Sequence, residues 1–350
     1  MIFAVGTHSF LIVVALDENW EVQKHQVLSK GYHFGVGIMN YNRSNGDRVF
    51  NRVGTKMLVY RGGKSVYEQN QKQLLVYEVD EAHCELVEQI DLDGTLYHDV
   101  HQIAYANGGV YLINTGHNNV VFRSLHKEDE SQTYHFGDYQ YDENHINSVF
   151  PCGDQIHVVL HNRGKRESEV VILHHNPSQG FTPERVLSLW NMGCHNVFFD
   201  RDILVYNASR AHEVTFVDLK RDRILKSIPF KGWHSKGMSV VEDYFVVGLS
   251  EHTIRDKRAT SMGKLAVIDR KNLSVKKIID LNFPDLPQSV GNVNEVRCIS
   301  GEELGQATEQ PVDINWEKIA LARRNPLTHS LYRLRAKVVF PFRNVRHIFR

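Results

Sequence analysis

The chain has 350 residues, 42% hydrophobic and 23% charged, the balance of a folded globular protein and not of a disordered one. Its 41 Lys and Arg offset 41 Asp and Glu, which argues against a globally basic nucleic-acid binder. The balance conceals an asymmetry: nine basic residues and one acidic residue, Glu317, fall within 315–350, leaving 32 basic against 40 acidic residues elsewhere.

At the N-terminus, MIFAVGTHSFLIVVALDENW has no Lys or Arg ahead of its apolar stretch. The stretch is interrupted at Thr7-His8-Ser9 and no small-residue cleavage site follows, so strands are expected there and not a signal peptide. No run reaches the roughly 20 apolar residues of a membrane helix. Cys84, Cys152, Cys194 and Cys298 are scattered, with no Cys-x-x-Cys pair, which suits a reducing compartment. The expected location is the cytoplasm, and the sequons at Asn42, Asn207 and Asn272 then have no role.

Up to about Ser300 the chain reads as short strands, alternating or wholly apolar, parted by Gly, Asn and Asp turns. One phrase recurs: HQIAYANGG from His101, HINSVFPCGD from His145, HNVFFDRD from His195 and HSKGMSVVED from His234. Each is a polar opening, an apolar strand, a tight turn and a second strand. Two further strands follow, as in Glu213–Asp218 and Ile224–Ile228. The openings are 44, 50 and 39 residues apart, the length of a four-stranded propeller blade.

Looser copies open at Tyr32-His33 and at Gly291–Val296, and the latter runs out of strands near Ser300. Three strands without partners begin the chain, near Ile2–Val5, Phe10–Leu16 and Glu21–Leu28. Joining the two ends predicts an all-β fold, a six-bladed β-propeller over residues 1–300. N-terminal strands pairing with a C-terminal strand close it, and no edge is left exposed. A pair of β-sandwiches is the alternative; it accounts for the strands but not for their phase.

Residues 301–350 are expected to be a basic, partly helical C-terminal extension, with helices at Trp316–Arg324 and from Leu327 to about Val339. Residues 315–350 could pack on the acidic body of their own chain. They equally suit peripheral contact with the inner face of a membrane or with an acidic partner.

Twenty histidines are the most unusual feature of the composition. In an antiparallel blade the innermost strand opens at the mouth of the central channel. His33, His101, His145, His195 and His234 occupy that place in five repeats, and Asn292 or Asn294, with Glu295 beside it, in the sixth. His98 adds a further candidate. The turns between second and third strands carry His8, His117, His161, His212 and His252 at the same end of the blade. Clustered imidazoles suit Zn, Cu, Fe or Mn and argue against Mg and Ca, which prefer oxygen ligands. Asp99, Glu143 and Glu295 are placed to orient such ligands. The same imidazoles could instead pin each loop to the next blade.

The turns also carry nine cations: Arg61, Lys64, Arg163, Lys165, Arg166, Arg210, Arg255, Lys257 and Arg258. A ring of positive charge on an acidic body attracts anions, and arginine pairs with carboxylate, phosphate or sulfate in bidentate fashion. No Gly-x-Ser-x-Gly elbow, P-loop or His-Glu-x-x-His helix is present. Cys194, next to His195, is expected to be a small buried residue and not a nucleophile.

This plan resembles β-propeller enzymes that place histidines at the channel mouth. Among them are metal-dependent lyases such as oligogalacturonate lyase, the six-bladed arylsulfate sulfotransferases and the iron-holding carotenoid oxygenases. The resemblance covers the plan of residues 1–300, with no motif matched word for word, and it implies no residue roles.

The expected function is a metal-dependent enzyme, of lyase or oxygenase (oxidoreductase) type, acting on a small anionic or acidic-glycan substrate. A divalent transition metal (Fe, Mn, Cu or Zn) would be held by His33, His101, His145, His195 and His234. His161 or His212 would act as general base, and Arg163, Arg210, Arg255 and Arg258 would hold the anion. The alternatives are metal-free sulfuryl or phosphoryl transfer through a channel histidine, and a non-enzymatic interaction scaffold.

Overall fold

Period-2 alternation turns every second side chain of a strand toward one neighbour, and here both faces find apolar partners. The computed structural model describes residues 1–40, 55–62, 72–79, 84–93, 96–125, 131–137, 141–200 and 202–300. Three strands open the chain: β1 (Ile2–Thr7), β2 (Phe10–Leu16) and β3 (Val22–Lys30). Blade 1 follows with β4 (His33–Asn40), β5 (Thr55–Arg61), β6 (Gln73–Val79) and β7 (Cys84–Asp91). Blade 2 has β8 (Val100–Ala106), β9 (Gly109–Asn114), β10 (Asn119–Ser124) and β11 (Ser131–His135). Blade 3 has β12 (Ile146–Cys152), β13 (Gln155–Leu160), β14 (Ser168–Asn176) and β15 (Gly180–Leu189). In blade 4 come β16 (His195–Asp200), β17 (Ile203–Ala208), β18 (Glu213–Asp218) and β19 (Arg223–Pro229). In blade 5 come β20 (Trp233–Val241), β21 (Tyr244–Glu251), β22 (Gly263–Asp269) and β23 (Ser274–Asp280), and β24 (Val293–Cys298) ends the series.

Six four-stranded antiparallel sheets result, the sixth in the order β24-β1-β2-β3. The fold is a six-bladed β-propeller, and the two ends of the ring are joined as the strand count requires. Phe3 pairs with Cys298, Val5 with Val296 and Gly6 with Glu295. The innermost strands β4, β8, β12, β16, β20 and β24 pack side by side around the axis. Six apolar clusters fill the gaps between blades, one to each gap. Along β1, Phe3 and Val5 face the gap toward blade 5 while Ala4 faces blade 1.

Each innermost strand carries a register shift near its start. One residue, or two in blade 5, bulges out of the ladder: Phe34, His101, Asn147, Asn196, Lys236 with Gly237, and Asn294. A bulge bends its strand and re-aims the adjacent side chains. Gly35 and Gly237 let neighbouring inner strands approach at these bends. A Cβ on Gly35 would lie 2.5 Å from the Ile103 nitrogen, and one on Gly237, at φ +75, would lie 2.9 Å from the Glu295 carbonyl carbon.

Three of the bulged residues latch one blade to the next. Asn147 Nδ2 donates to the Cys194 carbonyl (2.9 Å), Asn294 Nδ2 to the His33 carbonyl (3.0 Å), and Asn196 Oδ1 accepts from Gly237 N (2.8 Å). Asparagines share this pinning with histidines, since His212 Nδ1 and His234 Nδ1 also reach carbonyls across the gap between blades 4 and 5.

A second inter-blade tie lies at the end of the blades opposite the mouth. Arg270, 2% exposed, places Nη2 2.6 Å from Asp200 Oδ2, with its guanidinium 6.0 and 5.7 Å from the Phe198 and Phe245 ring centres. Arg270→Ala is expected to lower unfolding free energy by about 3–5 kcal/mol, because it strands a buried carboxylate. The Arg270→Met/Asp200→Leu double variant is expected to recover most of that loss in urea denaturation; a double variant as unstable as the single would refute the ion-pair account.

All four cysteines are free, and burial holds the Cys194 thiol protonated, its Sγ 3.5 Å from the Asn191 carbonyl. No helix among the described residues is long and apolar enough to cross a membrane. The expected helices of the extension, and Lys64, lie outside the described residues.

Candidate functional site

The bulges determine which side chains reach the channel. In register, His33 and His195 precede the bulge, His101 is itself the bulged residue, and His145 and His234 lie one residue earlier still. The five openings are thus offset from one another, and the histidines sort into groups and not into one ring.

His33 is turned away from the axis. It is fully buried, its Nε2 lies 2.8 Å from Ser29 Oγ, and burial lowers its pKa to about 4. Phe34 takes the inward place in blade 1. Its ring lies 4.9 Å from that of His101, and Lys236 of blade 5 reaches across to 5.0 Å from its centre.

From Phe34 a continuous arc of imidazoles runs around the mouth. Ring centres are 5.0 Å apart from His101 to His145, 5.1 Å from His145 to His161, and 5.2 Å from His161 to His195. Three members have their tautomer set by what Nδ1 meets. His101 Nδ1 lies 2.9 Å from the Asp99 carbonyl, which can only accept, so this nitrogen carries the proton. His145 Nδ1 donates to the Asp142 carboxylate at 2.7 Å. The Ser209 hydroxyl gives its hydrogen to the Ser235 carbonyl and therefore accepts from His195 Nδ1, 2.8 Å away. A ring anchored in this way, when neutral, carries its lone pair on Nε2.

His161, between them, is different. Its Nδ1 is buried without a hydrogen-bond partner, and Gly193 packs beside Nε2. It opens onto the channel yet is enclosed by protein. Burial, then the charges of His145, Arg210, His101 and Lys236, hold its pKa well below the ordinary histidine value. His195 is depressed in the same way, by burial first and Lys236 second. Both are neutral near pH 7.

A second group sits where blades 4 and 5 meet. His212, His234 and His252 bring ligand nitrogens within 4.8 Å of one another, the one such trio among the described residues. His234 Nδ1 donates to the Ser209 carbonyl (2.9 Å) and His212 Nδ1 to the Trp233 carbonyl (3.0 Å). Both therefore present Nε2 lone pairs, the backbone-anchored arrangement typical of metal-ligating histidines. His234 Nε2 shares a proton with His252 Nδ1 at 2.5 Å, a place a cation would take instead. Burial, with smaller effects from the neighbouring imidazoles and Arg258, lowers the His234 pKa to about 4. His252 is exposed, so the trio is reached from solvent. Ser209 joins the two groups, its hydroxyl holding His195 and its carbonyl His234.

The cations divide as well. Arg163 is spent on Asp142, donating from Nε to its carbonyl (2.8 Å) and pairing with its carboxylate. Arg210 approaches His161, and its Nη1 donates to the Gly164 carbonyl at 3.3 Å. Arg258, half-buried on the short turn Arg255–Thr260, lies close enough to Tyr32 and His234 to shift both, and Arg255 stands beside it. Lys165, Arg166 and Lys257 are exposed, and Arg61 stands opposite His33 in the ladder.

Sequence reasoning named Glu143 as the carboxylate for His145; the structure supplies Asp142, three residues ahead of the histidine it orients. Asp99 acts on His101 through its carbonyl, and Glu295 pairs with Gln102 and with Arg297 (3.5 Å) below the mouth. His98 and His117 stand together at 5.8 Å beside a cleft of about 350 Å³ on blade 2, apart from the arc. His8 caps the Tyr32 hydroxyl at 2.6 Å. Lys236, Ser209 and Asp142 were missed. Lys236 lies two residues after His234, but nothing in the sequence marks the bulge that aims it inward.

No family model and no curated protein matches the sequence. In structure the chain is similar to one from a nidogen/laminin complex, at 8% identity and TM-score 0.55, over 85% of this chain and 97% of that one. It is similar to a Bacteroides caccae protein of unknown function at 11% identity and TM-score 0.55, over 85% and 98%. A virginiamycin B lyase from Staphylococcus aureus aligns at 10% identity and TM-score 0.43, over 72% and 71%. At such identities the likeness is one of fold alone.

Proposed function

We propose that this propeller is a metal-dependent enzyme acting on an anionic substrate at the mouth of its channel, with a divalent transition ion held by His212, His234 and His252. The carrying observation is the convergence of three ligand nitrogens within 4.8 Å, two of them on rings whose other nitrogen is anchored to backbone carbonyls. Three imidazoles with a side open to solvent are the ligand set of a catalytic and not a closed structural centre, and nitrogen ligands suit Zn, Cu, Fe or Mn. When bound, such an ion polarises a substrate oxygen or lowers the pKa of a bound water.

Around it the chain's own groups have distinct tasks. Lys236, Arg210 and Arg258 make the mouth positive and draw in an anion. His161 is neutral and has no Nδ1 partner to fix its tautomer, so it can take or return a proton. Relative to the sequence-based expectation, His234 stays a ligand, His212 changes from base to ligand and His252 joins them, while His33, His101, His145 and His195 leave the ligand set. His101, His145 and His195 move to the substrate side.

Equilibrium dialysis of tag-free, metal-free protein against zinc tests the reading. About one tightly bound equivalent is expected, the ion taking the place of the His234–His252 hydrogen bond. Zinc uptake equal to that of a His212→Asn/His234→Gln variant would overturn it.

A further inference from the structure

The turn that follows His252 bears on the kind of anion the mouth takes. Arg255 and Arg258 lie three residues apart on the short 3₁₀ turn Arg255–Thr260, and side chains at that spacing stand over one another on one edge of such a turn. The turn is bolted to the sixth blade. The Arg258 carbonyl accepts from Asn292 N (2.8 Å) and Ser261 Oγ (3.0 Å), and the Ala259 carbonyl accepts from Ser9 Oγ (2.6 Å). Gly291, at φ +79, packs so closely that a Cβ there would lie 2.9 Å from both carbonyl oxygens. Two guanidinium groups are thus carried side by side on fixed backbone.

Both groups stay charged at any ordinary pH. Among the described residues neither side chain makes a hydrogen bond or pairs with a carboxylate, and Asp256 of the same turn is exposed. Arg258 is half-buried. What acts on it is its own burial first, then the Tyr32 hydroxyl and the Arg255 guanidinium, with no carboxylate. A half-buried cation faced by a second cation costs free energy until an anion joins it.

The charge and shape of that anion follow. One guanidinium fork satisfies both oxygens of a planar carboxylate, which leaves the second arginine without a task. A phosphate monoester offers three terminal oxygens and close to two negative charges at neutral pH, a match for two forks. A sulfate ester has the same shape but a single charge.

We infer that the substrate carries a phosphate group, gripped by Arg255 and Arg258 beside the trio. The Cα of His252 is at most about 11 Å from that of Arg255, three residues on. Arg258 also acts on His234 and, with Arg255, on Tyr32 at the opening of blade 1, so the pair sits between the trio and the channel. This deepens the reading proposed above and rests on the same mouth, but the two arginines hold an anion with or without the metal.

The test titrates the full chain calorimetrically, metal-free and zinc-loaded, at pH 8 with phenylphosphonate, benzenesulfonate and benzoate. These share a ring and differ only in the acid group. Zinc uptake of each protein is measured alongside. Phenylphosphonate is expected to bind both forms, about tenfold or more tighter than either comparison acid. Arg255→Gln/Arg258→Gln is expected to erase that margin in the metal-free form with zinc uptake undiminished. Arg258→Lys is expected to narrow the margin without erasing it, since a point charge replaces a fork. Benzoate or benzenesulfonate binding as tightly as phenylphosphonate, a margin that survives the double substitution, or no phosphonate binding at all would overturn the inference. Phosphonate binding without zinc uptake would sustain the inference and remove the metal; zinc uptake without phosphonate binding would do the reverse.

Discussion

Replacing His212 with Asn and His234 with Gln together is expected to weaken zinc binding by at least about a hundredfold. Loss of a single outer hydrogen-bond partner of a ligating histidine already costs about 10–100-fold, and here two of three ligands are gone. Asparagine is the proper replacement at His212, which sits at φ +59, a left-handed conformation that most side chains resist and asparagine tolerates. The exchange removes an imidazole without straining the turn. His33→Gln provides the contrast. His33 opens a repeat just as His234 does, yet it is buried against Ser29 with Phe34 in the inward place, so this variant is expected to keep its zinc. Elemental analysis after dialysis distinguishes the two, and loss of zinc in both variants would mean that the offset between the openings has been misassigned.

Acidification is expected to cost the propeller most of its stability between pH 6.5 and 4. His33, His157 and His234 have pKa values lowered to about 4, with burial as the leading cause in each. His161 and His195 lie well below the ordinary value for the same leading reason. The unfolded chain takes up protons at these histidines near pH 6.5, while the folded chain does so only at lower pH, about 4 for His33, His157 and His234. Between those values the unfolded state binds more protons, so stability is greatest above pH 6.5 and falls as pH drops. Each such histidine adds about 1.4 kcal/mol per pH unit to the slope. Urea denaturation at pH 7 and pH 5 reads the effect. His157→Gln, at a position 2% exposed and away from the mouth, is expected to flatten the slope by about one histidine's share. A stability independent of pH over this range would show that the buried imidazoles are protonated in the folded state.

The propeller was legible because its evidence is local. Alternating apolar strands, turn residues and a recurring phrase are visible without knowing what packs on what. The ring closure followed from counting, since three strands at one end and one at the other make a blade. What escaped was the register. A bulge at Phe34 and another at Lys236 leave no mark in composition, yet they decide that Phe34 and not His33 faces the axis, and that Lys236 reaches the arc. The turn histidines were placed at the correct end of the blade, and His161 and His212 meet the openings of the following blades, His195 and His234. Their partners were not legible. Asp142, Ser209 and His252 gain their roles only once strands from different blades converge, which is a property of the fold and not of any short stretch of chain.

The most direct measurement is anomalous diffraction at the zinc edge from crystals grown with zinc. The account predicts one ordered peak, bounded by His212, His234 and His252, at about 2.0–2.1 Å from each ligating nitrogen. A peak on the His101–His145–His161–His195 arc instead, or no ordered zinc anywhere in the propeller, would contradict it.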